Sequence, residues 1–215
     1  FEEFYAAFQK QFAYILDTVM DAARRYEKHV AETNPSVLLS AAVESSLAKG
    51  VDAYAFGFKY TTSCLMLCSF ATTVDSILAV KELVFEKKAA TLAEFKDALQ
   101  HNWEGYENLR RLALNARDKY GNANKQADLY AAALFRWFSV YVTGQKNSRG
   151  GVYKVGVPST LHFITQGKVT QATPDGRKEG EECSKNVAPV IGMERGGVTA
   201  MIRSALATGP WLFSE

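Results

Sequence analysis

A chain of 215 residues, 47% hydrophobic and 22% charged, can bury a sizeable core as one large domain or two small ones. Its net charge of +2 is too small to draw it to nucleic acid or an anionic membrane, and no apolar run approaches a membrane span. Three cysteines, Cys64, Cys68 and Cys183, leave an odd count with no disulfide framework, which points to a reducing, cytoplasmic setting.

The sequence opens at Phe1, already in helical periodicity, as a segment of something longer would. Phe4, Phe8, Phe12, Ile15, Leu16, Val19 and Ala23 recur at spacings of three and four, which predicts a long amphipathic helix to about Val30. Asn34-Pro35 ends it, and Pro35 opens a second helix over Ser36 to Ala48 that Gly50 closes. The aromatic stretch "AYAFGFKYTTS" predicts a strand over Phe56 to Thr61. Helical spacing returns over residues 70–88. Thr91 and Glu94 form a capping box that starts a further helix of about ten residues, and another follows from Gly105 to about Asn115. "KYGNANK" reads as a loop, Gln126 to about Thr143 as a helix, and "NSRGG" as a turn. Val152 to Ile164 reads as a strand bent or edged at Pro158. Residues 165–197 form a long glycine- and charge-rich connection; Val198 to Ala207 is a last helix, and "GPWLFSE" is irregular.

The chemistry-bearing residues are few. Cys64 and Cys68 lie among Leu65, Met66 and Leu67, a setting for buried thiols, and His29, His101 and His162 show no convergence on them, so no metal site is assigned. "SRGGVYKVG" carries glycines and cations but lacks the ending of a phosphate loop, and reads as a hairpin or crossover turn. Alternation along the predicted strand places Pro158, Thr160 and His162 on one face, exposed or lining a pocket. In "ATPDGR", Asp175 is positioned to accept from backbone amides and Arg177 to pair with a carboxylate or cap a helix end, so Asp175, Gly176 and Arg177 read as a structural turn.

Four collinear stretches carry a resemblance to a known family. "GKVTQATPDGRKEGEECSKNVAPVIGMERGGVTAMIRSAL" resembles the C-terminal half of the glycyl radical enzymes, the pyruvate formate-lyase-like family, with its "ATPDGR(K/R)…GEP" segment and "GxTA" helix. "TTVDSILAVKELVFEKKAATLAEFKDALQHNWEGYENLR" is similar to that family's "TVADSLAAIKKLVFEEK…T…ELLEALKANFEGYEELR". "LNARDKYGNANKQAD" is similar to "L.NAPKYGNDD..VD", and "NPSVLLSAAVESSLAKGVDAYAFGFKY" to "TPTPFLSALIEGCIEKGKDITEGGAKYN". Departures include "KYT" for "KYN" and "YGNAN" for "YGNDD".

The resemblance implies a helix-rich α/β fold, part of a ten-stranded barrel that is incomplete in this chain, with residues 1–145 mostly helical. It implies a single segment lying between the catalytic cysteine loop and the glycyl radical loop, so no catalytic residue is carried over. Pro158, Thr160 and His162, with Tyr60 and Thr61, fall where substrate-pocket residues are expected. The parent is expected to act on a small molecule by radical chemistry as an acetyltransferase, dehydratase or lyase, and the segment alone to be inactive. The segment binds no cofactor on this reading; the parent's glycyl radical is installed by an activase using S-adenosylmethionine and an iron–sulfur cluster. Its partners are the rest of the barrel, the activase and the substrate, with a homodimer suggested by relatives. The competing expectation is a free-standing, non-catalytic helical binding or scaffold module derived from the same fold.

Overall fold

The computed structural model describes residues 1–212; the last part of the irregular C-terminal stretch lies outside the described residues. Among the described residues, nine α-helices and two strands follow in chain order: α1 Glu2–Thr33, α2 Val37–Ala42, α3 Glu44–Lys49, β1 Ser63–Met66, α4 Phe70–Val80, α5 Leu92–Gln100, α6 Glu107–Leu114, α7 Lys125–Val142, β2 Tyr153–Gly156, α8 His162–Val169 and α9 Gly197–Ala207. By internal packing the chain divides into two compact units. Among the described residues, the first comprises residue 1, Met66–Phe138 and the chain from Gly156; the second comprises Glu2–Leu65 and Ser139–Val155.

The first unit is built on α4. Its positions run almost entirely buried, from Phe70 through Val80, and an aromatic cluster holds it. Phe70 meets Tyr120 edge-on at 5.5 Å and Phe135 at 6.2 Å, and Phe135 meets Phe138 at 6.0 Å. Each such side chain withdrawn from water contributes about 1.5–3 kcal/mol. The helix continues through a π-type turn over Lys81–Glu86, so the 70–88 expectation holds in length. At α5 both halves of the capping box are present: Thr91 Oγ1 accepts from the Glu94 amide at 3.2 Å, and Glu94 accepts from the Thr91 amide at 2.8 Å.

The second unit rests on α1, which ends at Thr33 just before Asn34-Pro35. Its buried stripe runs through Leu16, Met20 and Val30, whereas Ile15 and Val19 are exposed. The inward face is therefore rotated from the one the spacing predicts. Tyr153 of β2 is buried against this stripe and donates its hydroxyl to the Met20 carbonyl at 3.1 Å. The second predicted helix is divided in two at Val43, whose backbone is extended.

β1 and β2 pair. The Ser63 amide donates to the Val152 carbonyl and the Leu67 amide to the Gly156 carbonyl, so both strands advance together and the pairing is parallel.

Two strand expectations need correction. Phe56 to Thr61 is not a strand: Ala53–Gly57 forms a π-type turn and the strand starts at Ser63. The cause is Asp52, whose side chain accepts from the Tyr54 amide and whose carbonyl accepts from Ala55 and Gly57; this local capture overrides β propensity. Val152 to Ile164 is a strand only over Tyr153–Gly156. Pro158 supplies no amide to a ladder, residues 157–161 are irregular, and His162 opens α8. α8 also takes the first part of the connection expected over 165–197.

Candidate functional site

The "ATPDGR" turn is an internal clamp of the first unit. Arg177 is 4% exposed and uses its whole donor set. Nε donates to Thr173 Oγ1 at 3.2 Å; one terminal nitrogen donates to the Lys178 and Glu181 carbonyls at 2.8 and 2.7 Å; the other donates to the Thr170 carbonyl at 3.1 Å and to the Gln171 carbonyl. A guanidinium has five N–H donors, so none is left for a ligand. Asp175 accepts from the Thr173 hydroxyl at 2.6 Å and the Arg177 amide at 3.4 Å. Arg177 thus pairs with no carboxylate and instead gathers backbone carbonyls, among them that of Thr170 at the end of α8. Gly176 has φ +103°, a left-handed value natural to glycine, and lies against Leu114 with no room for a side chain. Trp103 Nε1 donates to the Arg177 carbonyl and Arg110 Nε to the Gly176 carbonyl.

The "KYGN" stretch fastens the connection that follows the turn. Tyr120 donates its hydroxyl to the Val187 carbonyl at 3.0 Å, and Gly121 packs under the Pro189 ring. Asn122 donates to the Met193 carbonyl and accepts from the Gly196 amide, 2.9 and 2.8 Å. Thr72 and Ser184 exchange reciprocal amide-to-hydroxyl bonds of 2.9 Å. Asn124 stands where the family pattern has aspartate and still caps α7, its side-chain oxygen accepting from the Gln126 and Ala127 amides.

Beneath these segments sits a buried pair that the motif reading overlooked. Asp75 is fully buried; Oδ1 accepts from the Tyr120 amide at 2.8 Å and Oδ2 stands 3.8 Å from Lys119 Nζ. Burial pushes the Asp75 carboxyl up to about 7 despite the opposing pull of Lys119. Lys119 donates to the Asp175 carbonyl at 3.2 Å. A carboxylate between Val74 and Ile77 in an otherwise apolar helix was the signal in the sequence. A cavity of about 250 Å³ lies beside the pair, lined by Leu114, Lys119, Asp175, Arg177, Val190 and Met193.

Pro158, Thr160 and His162 do not line that cavity. They share no strand face either, because His162 begins a helix and its amide meets Thr160 Oγ1 at 3.4 Å. Thr160 and His162 are exposed and Pro158 is half-buried. Tyr60 and Thr61 belong to the second unit, Tyr60 78% exposed and Thr61 half-buried. There the Thr61 carbonyl accepts from Asn147 Nδ2, and Gly151 lies against it too closely for a side chain. Asn147 Nδ2 also donates to Ser63 Oγ at 2.9 Å. Ser63 donates to Glu27, which accepts the Ser148 amide at 3.0 Å. Arg149 donates to the Thr62 carbonyl at 3.1 Å. The glycine-rich turn at 147–151 therefore spends its polar groups on the protein, as a structural turn does.

Cys64 and Cys68 are half-buried rather than core thiols, Cys183 is buried, and none of the three is in a disulfide. Among the described residues no group of three or more His, Cys, Asp and Glu side chains is placed to hold a metal ion. Nor is any helix among them long and apolar enough to cross a membrane.

Residues 1–166 match the pyruvate formate lyase-like family. The chain is 34% identical over 204 residues to trans-4-hydroxy-L-proline dehydratase of Clostridioides difficile, covering 95% of this chain and 26% of that protein. The crystal structure of the C. difficile hydroxyproline dehydratase superposes with a TM-score of 0.87 at 33% identity, over 94% of this chain and 26% of that one. A glycyl radical enzyme from Archaeoglobus fulgidus superposes with a TM-score of 0.86 at 31% identity, over 96% of this chain and 27% of that one. The chain thus spans about a quarter of the length of the curated relatives it matches, and its helix-rich architecture corresponds to part of their barrel. This chain belongs to the pyruvate formate lyase-like family, that of the glycyl radical enzymes.

Proposed function

We propose that this chain is part of the catalytic barrel of a glycyl radical enzyme that acts on a small molecule as a dehydratase or lyase, and that turnover needs the rest of the barrel. The observation that carries the reading is the superposition on hydroxyproline dehydratase along nearly the whole chain, at 33% identity. The residues described above serve that role as framework. Arg177 spends its donors on four backbone carbonyls and the Thr173 hydroxyl, Asn122 and Tyr120 tie down the connection after it, and Asn147 and Glu27 fix the approach to β1. In the parent, a glycyl radical installed by an activase with S-adenosylmethionine and an iron–sulfur cluster would generate the cysteine thiyl that abstracts a hydrogen atom from the substrate; both groups would lie on the catalytic loops and not on this segment. Pro158, Thr160 and His162 of the first unit and, separately, Tyr60 and Thr61 of the second are the candidates in this segment for contact with the parent's substrate.

The test is anaerobic co-expression of the full reading frame with a radical-activating enzyme, followed by electron paramagnetic resonance. Turnover is then assayed on trans-4-hydroxy-L-proline, 4-hydroxyphenylacetate, propane-1,2-diol, (2S)-3-sulfopropanediol and isethionate. The expected result is a glycyl doublet in the full protein, turnover of at least one compound, and neither from residues 1–215 alone. A doublet on a glycine of this segment, or a full protein that accepts no radical, overturns the reading; the second outcome favours a non-catalytic scaffold module.

A further inference from the structure

Three consecutive carbonyls of the "ATPDGR" turn are each held from outside by one side chain. Lys119 Nζ donates to that of Asp175 at 3.2 Å, Arg110 Nε to that of Gly176 at 2.8 Å and Trp103 Nε1 to that of Arg177 at 3.2 Å. Of the three donors, Lys119 alone stands beside a fully buried acid. Its ammonium has three N–H donors, and among the described residues the Asp175 carbonyl is the one hydrogen-bond acceptor it meets. Asp75 Oδ2, 3.8 Å away, has no hydrogen-bond partner among those residues. A donor with bonds to spare thus lies just out of reach of an acceptor with none. Both are buried by their own unit, so their setting does not depend on what covers the exposed faces of the segment.

Two charged side chains face Asp75: Lys119, from the segment before α7, and Asp175, from the turn. Tyr120 adds its backbone amide, its phenol being engaged with the Val187 carbonyl. On α4 and its continuation, Glu82 is taken up by Lys87 and the Arg117 amide. Burial holds the Asp75 carboxyl up to about 7, so its proton is released close to neutral pH. While the acid is protonated, the bond from Lys119 to the Asp175 carbonyl has no charged competitor. Once it ionises, two forces act in the same sense. Attraction draws the ammonium towards Oδ2, and repulsion drives the Asp175 carboxyl, with the turn that carries it, away. Closing 3.8 Å to a charge-assisted bond takes a shift of about 1 Å. The cavity of about 250 Å³ lined by Lys119, Asp175 and Leu114 gives the turn room to move.

We infer that Lys119 is a proton-controlled latch on this turn: it holds the Asp175 carbonyl while Asp75 is protonated and passes to Asp75 Oδ2 when the proton leaves, loosening the turn. Arg110 and Trp103 keep their hold on the next two carbonyls, so the opening is confined to the Asp175 end. The latch is made of buried groups of one unit and stands whatever reaction the parent performs.

The experiment is hydrogen exchange read by mass spectrometry on the full-length protein at pH 5 and pH 8, with rates corrected for the intrinsic effect of pH. The Gly176 amide, which donates to the Thr173 carbonyl, and the Arg177 amide, which donates to the Asp175 carboxyl, report on the turn. At pH 8 their peptide should exchange about tenfold faster than at pH 5, the scale of one lost hydrogen bond to a charged group. Peptides of α4 and α7 should keep their protection over the same minutes. Asp75→Asn, which cannot ionise, should hold the turn at its pH 5 protection at both pH values, and Lys119→Met should give fast exchange at both. Equal wild-type exchange at the two pH values overturns the latch, and this comparison decides the matter even where Lys119→Met does not fold. Loosening of α4 and α7 in step with the turn overturns it too, as does an Asp75→Asn protein that loosens at pH 8 like the wild type.

Discussion

Lys119 Nζ stands 3.8 Å from Asp75 Oδ2 at a site where neither side chain is more than 6% exposed, and the Asp75 carboxyl is held up to about 7. Desolvation is the larger influence and the lysine only partly offsets it. Folded Asp75 therefore keeps its proton at pH values where the unfolded chain, at its ordinary value of 3.8, has released it. The contribution of Asp75 to stability is greatest below that value and is lost as pH rises from about 4 towards 7, levelling off above. Linkage sets the ceiling of this loss at about 4 kcal/mol. Urea midpoints measured at pH 5 and pH 8 should fall with pH, and Asp75→Asn should flatten the difference; equal slopes in the two proteins would sink this account.

Replacing Arg177 with lysine keeps the charge but removes the fork. An ammonium reaches at most three of the acceptors now met by the guanidinium and leaves buried carbonyls unsatisfied. Arg177→Lys is expected to cost about 2–3 kcal/mol, read as a lower denaturation midpoint at unchanged m-value. A loss under about 0.5 kcal/mol would show that water satisfies the carbonyls as well.

Ala123 carries φ +52° in "YGNAN", where the family pattern has aspartate. Asparagine and aspartate tolerate that region better than alanine. Ala123→Asn should stabilise the protein by about 0.5–1 kcal/mol, a rise in Tm of about 1–4 °C by calorimetry. Because the Ala123 amide donates to Ser204 Oγ at 2.9 Å, a fall in Tm would mean that this bond had been disturbed.

Thr91 and Glu94 form both arms of the α5 capping box. Thr91→Ala should cost about 1 kcal/mol in chemical denaturation. Adding Glu94→Gln to it should add little, since the glutamine side-chain oxygen can still accept from the backbone amide of residue 91.

The helices were readable because their signals are local. The Thr91 box, the Pro35 stop and the apolar spacing of α4 each act within a few residues, and each element lies close to where those signals put it. The two strands were misplaced because aromatic and β-branched composition says only that a segment suits a pleated surface. Asp52 captured the segment around Phe56 into a turn, and Pro158 ended β2 with His162 free to start a helix. Asp175 and Arg177 were legible as a turn, but the partners of Arg177 were not, since carbonyls carry no side-chain signature. Asp75 went unread because its importance lies in Lys119, 44 residues further on, a pairing only the fold creates.

The second unit is discontinuous: Glu2–Leu65 waits for Ser139–Val155, which supplies the partner strand and the Asn147–Ser63 and Ser148–Glu27 bonds. During translation, at about 5–20 residues per second, that delay lasts several seconds, with the edge of β1 that pairs with β2 waiting for it throughout. The intervening stretch belongs to the first unit and leaves the ribosome before the closing segment. We therefore expect nascent chains stalled near residue 138 to be cut readily by protease near Leu65, and chains stalled some forty residues beyond Val155 to resist. Equal cutting of both would mean that the first 65 residues need no later partner to become compact.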